Sequence, residues 1–232
     1  MTTATPQTLH VEFFHDVICS FCFPMSYRMR QITKAMPNLE ITHRSFALVK
    51  QESDFDRMFG SRERAKDEIV THWEQANQND DLHRFNIDGM KQTDFPFPSS
   101  MKPLRAAKAA LYVGGEAAYW DVFDALQAAL FTQNQNIELD EVIRTAVKTT
   151  DVNFDEWQQH FASDETQQAV EADLARADEY GLRGVPALVI NRQQVISGAL
   201  PTGQLRQMLE DLSRQASEQK TVPGLCGPEG CI

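Results

Sequence analysis

The sequence predicts an α/β fold interrupted by a large all-helical insertion. Three observations predict it. An apolar run, a helical pattern and a second β-rich run open the chain between residues 10 and 48. Two short β-rich runs and an amphipathic helix close it between residues 186 and 218. The roughly 130 residues between them show helical periodicity and no convincing strand.

A chain of 232 residues suits one domain with an insertion, or two small domains, and can bury a real core. Its 24% charged and 42% apolar residues are ordinary for a globular protein. The net charge of −11 argues against nucleic acid or anionic membrane as the main partner. No apolar run approaches the length of a membrane span. The opening stretch, "MTTATPQTLHVEFFHD", has no Lys or Arg, no long apolar segment and no small-residue cleavage site. The expectation is therefore a cytoplasmic protein. In that compartment a close cysteine pair points to redox or metal chemistry rather than to a structural disulfide.

"HVEFFHDV" (10–17) is short, apolar and partly alternating, and reads as a buried strand. In "FCFPMSYRMRQITKAM", Cys22, Met25, Met29, Ile32 and Met36 recur at helical spacing, and Pro37 stops the pattern. Pro24 fits the first helical turn, where its missing N–H would have no intrahelical partner. "LEITHRSFAL" (39–48) reads as a second strand. The opening is thus a βαβ unit.

From about residue 51 to 180 helices follow one another. "GSRERAKDEIVTHWEQANQ" is a polar helix with a narrow apolar stripe, and "DFPFPSSMKP" is a proline-punctuated loop. "LRAAKAALYV" and "EAAYWDVFDALQAALF" are Ala-rich helices with Gly114 and Gly115 as a break between them. "ELDEVIRTAVKTT" is a further short helix. Asn153, with Glu156 three residues later, has the pattern of a capping box. The next helix runs to Gly181, which suits a left-handed stop. "PALVIN" (186–191) and "QQVISGA" (193–199) form a hairpin pattern, and a last helix starts near Thr202 as N-cap. The resulting partition is a discontinuous β-containing domain over 1–50 and 181–218, a helical insertion over 51–180, and a tail over 219–232. Without the insertion, the order β-α-β then β-β-α is that of the thioredoxin fold.

The chemistry concentrates in "DVICSFC". Cys19 falls where the strand gives way to the helix, and Cys22 lies one turn in. Unpaired N–H groups and the positive end of the helix dipole favour a thiolate at Cys19. Thiolate is the attacking species in disulfide exchange. Cys19 is therefore read as nucleophile and Cys22 as the resolving thiol. Two alternatives share the spacing: a zinc site completed by Cys226 and Cys231, in an interaction or chaperone module, and a pair of buried thiols without function. A second signal is "GLRGVPALVI" (181–190), where Val185–Pro186 opens a strand. A strand-edge proline accounts for it by sterics alone. In thioredoxin folds the same slot carries a cis proline against the reactive sulfurs, and the preceding backbone pairs with an extended substrate.

On "FFHDVICSFC", on "GLRGVPALVINRQQVISGALP" and on the order of elements, the chain resembles the DsbA family of disulfide oxidoreductases, and most closely its cytoplasmic FrnE-like branch known in bacteria. The resemblance implies a thioredoxin fold, dithiol–disulfide chemistry at Cys19 and Cys22, and a cis-proline loop at Val185–Pro186. The partners it implies are thiol- or disulfide-containing protein substrates, with glutathione or a thioredoxin system for recycling and no bound cofactor or metal. The chain departs from the family between the cysteines. Where the branch usually has Pro-Trp and DsbA has Pro-His, this chain has Ser20–Phe21. No histidine is available there to stabilise the thiolate, which argues against a very strong oxidant. Glutathione-linked transferases and isomerases of similar fold usually carry serine at the nucleophile position, and glutathione-dependent chemistry on a small molecule is the alternative enzyme reading.

In "CGPEGC" the turn residues around Pro228 can bring Cys226 and Cys231 within disulfide range. Some FrnE-like proteins are similar in carrying such a C-terminal pair. The readings are a second redox couple or regulatory cap, a small structural disulfide, or metal ligands. Among other residues, Asp16 either satisfies local amides or modulates Cys19. His72, His83 and His160 share no ligand spacing and read as solvated surface residues. Phe95 and Phe97 read as loop packing or as the lining of a substrate groove. Met25, Met29 and Met36 read as core.

Overall fold

A computed structural model describes residues 8–221. β1 (Leu9–His15) is buried on both faces except at His10, which is why it reads as a nearly continuous apolar run. α1 (Cys22–Ala35) follows, and then β2 (Leu39–Ser45), which lies parallel to β1 from Leu9 opposite Leu39 to His15 opposite Ser45. After the helical segment come β3 (Ala187–Ile190), antiparallel to β1, and β4 (Gln194–Ser197), antiparallel to β3. The sheet order is β2-β1-β3-β4. Val11, Phe13, Leu188 and Ile190 share one cluster with Met25, Met29 and Ile32 of α1. Leu205 and Leu209 of α9 (Thr202–Thr221) close that layer. On the other face Phe14, Ala187 and Val189 meet Ala177 and Leu182. The period-2 alternation of the strands thus sets which residues face which layer.

Only helices lie between β2 and β3: α2 (Glu52–Phe59), α3 (Arg62–Asn79), α4 (Ile87–Gln92), α5 (Met101–Phe131), α6 (Asp140–Val147), α7 (Phe154–Ala162) and α8 (Asp164–Glu179). Their ends follow local chemistry. Ser61, Asn153 and Ser163 cap α3, α7 and α8 by accepting backbone N–H bonds with their side chains. Gly181 takes a φ of 66°, a conformation that favours glycine. α5 is two helices joined at a break, where Gly114 has φ −144° and Gly115 has φ 67° with ψ −160°. Directly after the break, the Glu116 carboxylate accepts the His43 N–H at 2.8 Å. Asp173 of α8 accepts the Ser45 N–H at 2.9 Å. β2 is an edge strand, so its outward N–H groups need partners from outside the sheet. Two carboxylates of the helical segment provide them.

Buried polar residues join the layers. Arg28 of α1 is 3% exposed and pairs with Asp81 at 2.8 Å, while donating to the Ala199 and Leu200 carbonyls and to the backbone of Asn79. Lys108 and Asp173 form an ion pair with both side chains 3% exposed. Several boundaries differ from the sequence reading: β1 spans Leu9–His15 rather than 10–17, and β4 spans Gln194–Ser197 rather than 193–199. β2 ends at Ser45 rather than at Leu48, because the Leu48 N–H turns to the Asp16 carboxylate at 2.7 Å. Thr202 is the first residue of α9 rather than its cap, and the Leu205 N–H reaches back to the Pro201 carbonyl at 3.0 Å. Among the described residues no helix is long and apolar enough to cross a membrane.

Candidate active site

β1 delivers the chain into a tight loop. Asp16, fully buried, organises it. Its carboxylate accepts from the Ile18 N–H at 3.2 Å, the Leu48 N–H at 2.7 Å and the Ser100 hydroxyl at 2.6 Å. The Asp16 carbonyl in turn accepts the Cys19 N–H at 3.1 Å. Burial pushes the carboxyl up to about 6, against the lowering effect of these donors. Satisfaction of local amides, one of the two roles the sequence allows Asp16, is directly visible. Gln127 of α5 adds contacts at 3.5 and 3.4 Å to the Asp16 and Val17 carbonyls.

Cys19 sits in the turn that leads into α1, its carbonyl accepting the Cys22 N–H at 3.0 Å. Cys19 is 5% exposed and Cys22 is fully buried, and both carry free sulfurs. Burial pushes the Cys22 thiol well above the ordinary thiol range, with the Cys19 sulfur beside it and the Asp16 charge adding to the rise. Across from them, the Val185–Pro186 bond is cis. The Cys19 Sγ–H donates to the Val185 carbonyl at 3.4 Å, linking residues 166 apart in sequence. Residues 16, 19, 22, 185 and 186 therefore meet at one end of the sheet. Cys226 and Cys231 lie outside the described residues. Among those described, no cluster of three or more His, Cys, Asp or Glu side chains could hold a metal ion.

A cleft of about 430 Å³ opens beside Cys19. The cysteine loop forms one wall with Ile18, Ser20 and Phe21, and Val185 forms another. The helical segment closes it with Met58 and Phe59 of α2, Ile69 and His72 of α3, and Phe97. Phe97 is 1% exposed and so both packs in its loop and lines this cleft, whereas Phe95 lies under the Lys66 ammonium, 5.3 Å from the ring centroid. The sequence reads His72 as a solvated surface residue. It is exposed, but it stands on the cleft wall. The contributions of α2 and α3 left no local signal in the sequence, because these residues join the cysteines only through the fold.

Behind the cysteine loop lies a second feature that sequence reasoning missed. His15 lies opposite Ser45 and His43 opposite Phe13, so the two histidines are diagonal neighbours on adjacent strands, 0% and 1% exposed. His15 stacks on Phe123 at 3.8 Å and on Tyr119 at 5.5 Å, and the two imidazoles stack on each other at 5.0 Å. None of their four ring nitrogens has a hydrogen-bond partner. Burial holds both well below the ordinary histidine range, each imidazole being further lowered by nearby Lys108. The signal available was positional: polar residues at inward-facing sites of two adjacent strands.

Comparison with known proteins fits this geometry. The profile of the family described as "DSBA-like thioredoxin domain" matches residues 10–210. No curated protein matches in sequence. Among solved structures, a candidate protein disulfide isomerase from Nitrosomonas europaea superposes with a TM-score of 0.74 at 17% identity, covering 90% of this chain and 99% of its own. The cytosolic disulfide reductase DsbM from Pseudomonas aeruginosa, solved with GSH, gives 0.66 at 16% identity over 92% of this chain and 100% of its own. A 2-hydroxychromene-2-carboxylate isomerase gives 0.63 at 14% identity over 92% and 99%.

Proposed function

The chain belongs to the DSBA-like thioredoxin domain family, and from that premise we propose that it is a cytoplasmic thiol–disulfide oxidoreductase or isomerase of the FrnE-like branch. The observation that carries the reading is the convergence of Cys19, Cys22 and the cis Val185–Pro186 bond at the end of the sheet. In this reading Cys19 attacks a substrate disulfide and forms a mixed disulfide. Cys22, held protonated by burial until the mixed disulfide forms, then loses its proton and attacks Cys19 as the thiolate; the bond from Cys19 to the substrate sulfur breaks, and the substrate leaves with that electron pair and takes up a proton. Backbone next to Pro186 pairs with an extended substrate segment. Cys226 and Cys231 act as a second couple that exchanges electrons with the first. The likeness to a cytosolic disulfide reductase supports the compartment, and glutathione or a thioredoxin system completes the cycle.

Insulin reduction and reactivation of scrambled ribonuclease test the assignment. Both are expected to vanish in Cys19→Ser, and unchanged activity refutes it. The tail relay is tested by mass spectrometry of partly oxidised Cys22→Ser protein, where a disulfide from Cys19 to Cys226 or Cys231 is expected and its absence refutes the relay. A second reading draws on the apolar cleft and on the fold shared with an isomerase: glutathione-dependent chemistry on a small molecule. Glutathione adduct formation without dithiol turnover is the result that favours it.

A further inference from the structure

The cleft beside Cys19 is apolar on most of its surface, and among the residues that line it only one side chain besides Cys19 itself is ionisable, His72. The remaining polar groups on the wall are those of Ser20 and Gln75. This composition matters for the step in which a disulfide is opened. When a thiolate attacks one sulfur of a disulfide, the other sulfur departs with the electron pair of the broken bond. A departing alkyl thiolate in an apolar cleft is disfavoured, because burial penalises the charged form. Neither residue between the cysteines, Ser20 or Phe21, is a titratable acid that could neutralise it. Histidine is the side chain that ordinarily gains and loses a proton near neutral pH.

We infer that His72 is a catalytic residue of the exchange reaction, the proton donor to the sulfur that leaves the substrate. The inference rests on the disulfide-exchange reading given above. The Cys19 thiolate forms a bond to one sulfur of the substrate disulfide, and the sulfur–sulfur bond of the substrate breaks. The leaving sulfur takes the electron pair of that bond and a proton from the His72 imidazolium. The products are the Cys19 mixed disulfide, a free thiol and a neutral imidazole, which regains its proton from water. α3 thus supplies, from across the cleft, an acid that the dipeptide between the cysteines lacks. The exposure of His72 keeps it open to solvent for reprotonation.

The dependence on the leaving group distinguishes proton donation from a role in structure. A nitrothiophenol leaves readily as the bare thiolate, whereas an ordinary alkyl thiol has a pKa of about 8.5 and gains from a proton donor. One cysteine peptide is prepared as two mixed disulfides, with 5-thio-2-nitrobenzoate and with cysteamine. Reduced wild type, His72→Gln and His72→Lys are each mixed with both, and release of the small thiol is followed by stopped flow. General acids commonly contribute 10²–10⁴-fold, and for an exposed donor about tenfold is expected. The ratio of aryl-thiol to alkyl-thiol release is expected to rise about tenfold in His72→Gln and to stay raised in His72→Lys, because an ammonium of ordinary pKa about 10.4 is a weaker acid than the alkyl thiol of about 8.5 that it would have to protonate; a return to the wild-type ratio in His72→Lys would assign the effect to charge and overturn proton donation. An unchanged ratio in His72→Gln overturns the inference, including the case where both releases slow equally. If wild type releases neither thiol, disulfide exchange itself fails, and the role of His72 falls with it.

Discussion

The Ser100 hydroxyl donates to Asp16 Oδ2 at 2.6 Å, tying the start of α5 to the residue that shapes the cysteine loop. The same hydroxyl accepts the Val49 N–H at 3.0 Å. Ser100→Ala therefore leaves a buried N–H unpaired and a buried carboxylate short of one donor. The expected cost is about 1–3 kcal/mol, read as a lower urea midpoint at unchanged m-value. Loss of that donor also moves the Asp16 carboxyl further up, seen as a shift of its carboxyl resonance titration to higher pH.

Asp16 should leave its own mark on stability. Its folded-state pKa of about 6 lies above the ordinary 3.8, so the folded protein holds the proton more tightly than the unfolded chain. The stabilisation is complete below pH 3.8 and is lost as pH rises through about 6. The whole window amounts to about 3 kcal/mol. Asp16→Asn removes this contribution. Denaturant titrations between pH 4 and 7 are expected to show the mutant gaining stability relative to wild type as pH rises; parallel curves contradict the expectation.

The buried imidazoles act in the opposite sense. His15 and His43 stay neutral when folded, at pKa values well below the ordinary 6.5. Above pH 6.5 they contribute nothing to the pH dependence, and as pH falls below it the unfolded chain takes up protons that the folded protein refuses. His15→Phe keeps an aromatic ring in the stack with Phe123 and removes one of these groups. Its melting temperature is expected to fall less than that of wild type between pH 7 and pH 5.

Lys108 and Asp173 are both almost fully buried, so breaking the pair strands a charge. Asp173 retains Arg44 at 3.0 Å and the Ser45 N–H at 2.9 Å, which limits the damage. Lys108→Met is expected to cost about 3 kcal/mol, the lower end for loss of one partner of a buried pair. Joint replacement with Asp173→Asn should recover part of that loss in the same denaturation assay.

In the proposed exchange Cys22 resolves the intermediate, and Cys22→Ser removes that thiol. Incubated with a disulfide-bonded substrate, it is expected to accumulate a covalent complex that non-reducing electrophoresis detects and dithiothreitol dissolves. Cys19→Ser should form none. A complex of equal yield in Cys19→Ser would reverse the roles of the two cysteines.

Much of the site was legible because its signals are local. Cys19 and Cys22 announce themselves by spacing at a strand–helix junction, Val185–Pro186 by its place before a strand, and the break in α5 by paired glycines. What stayed hidden depends on distance. Met58, Ile69 and His72 reach Cys19 only through the packing of α2 and α3, and in sequence they sit in ordinary helix patterns. Arg28 and Lys108 look like the solvated side of a helix, yet each is buried against partners more than fifty residues away. His15 and His43 break the apolar alternation of their strands, and only the parallel register of β1 and β2 turns two isolated exceptions into one stack.

Glu116 and Asp173, which take up the outward N–H groups of β2, give the helical segment a duty unrelated to catalysis. A seven-residue border strand with open amides is a template for annealing with other chains. At the opposite border, β4 has only four residues and offers little to copy. A trimmed version lacking residues 51–180 would therefore keep both cysteines and the proline loop, yet expose a sticky rim. Its expected fate in the test tube is precipitation rather than a smaller working enzyme.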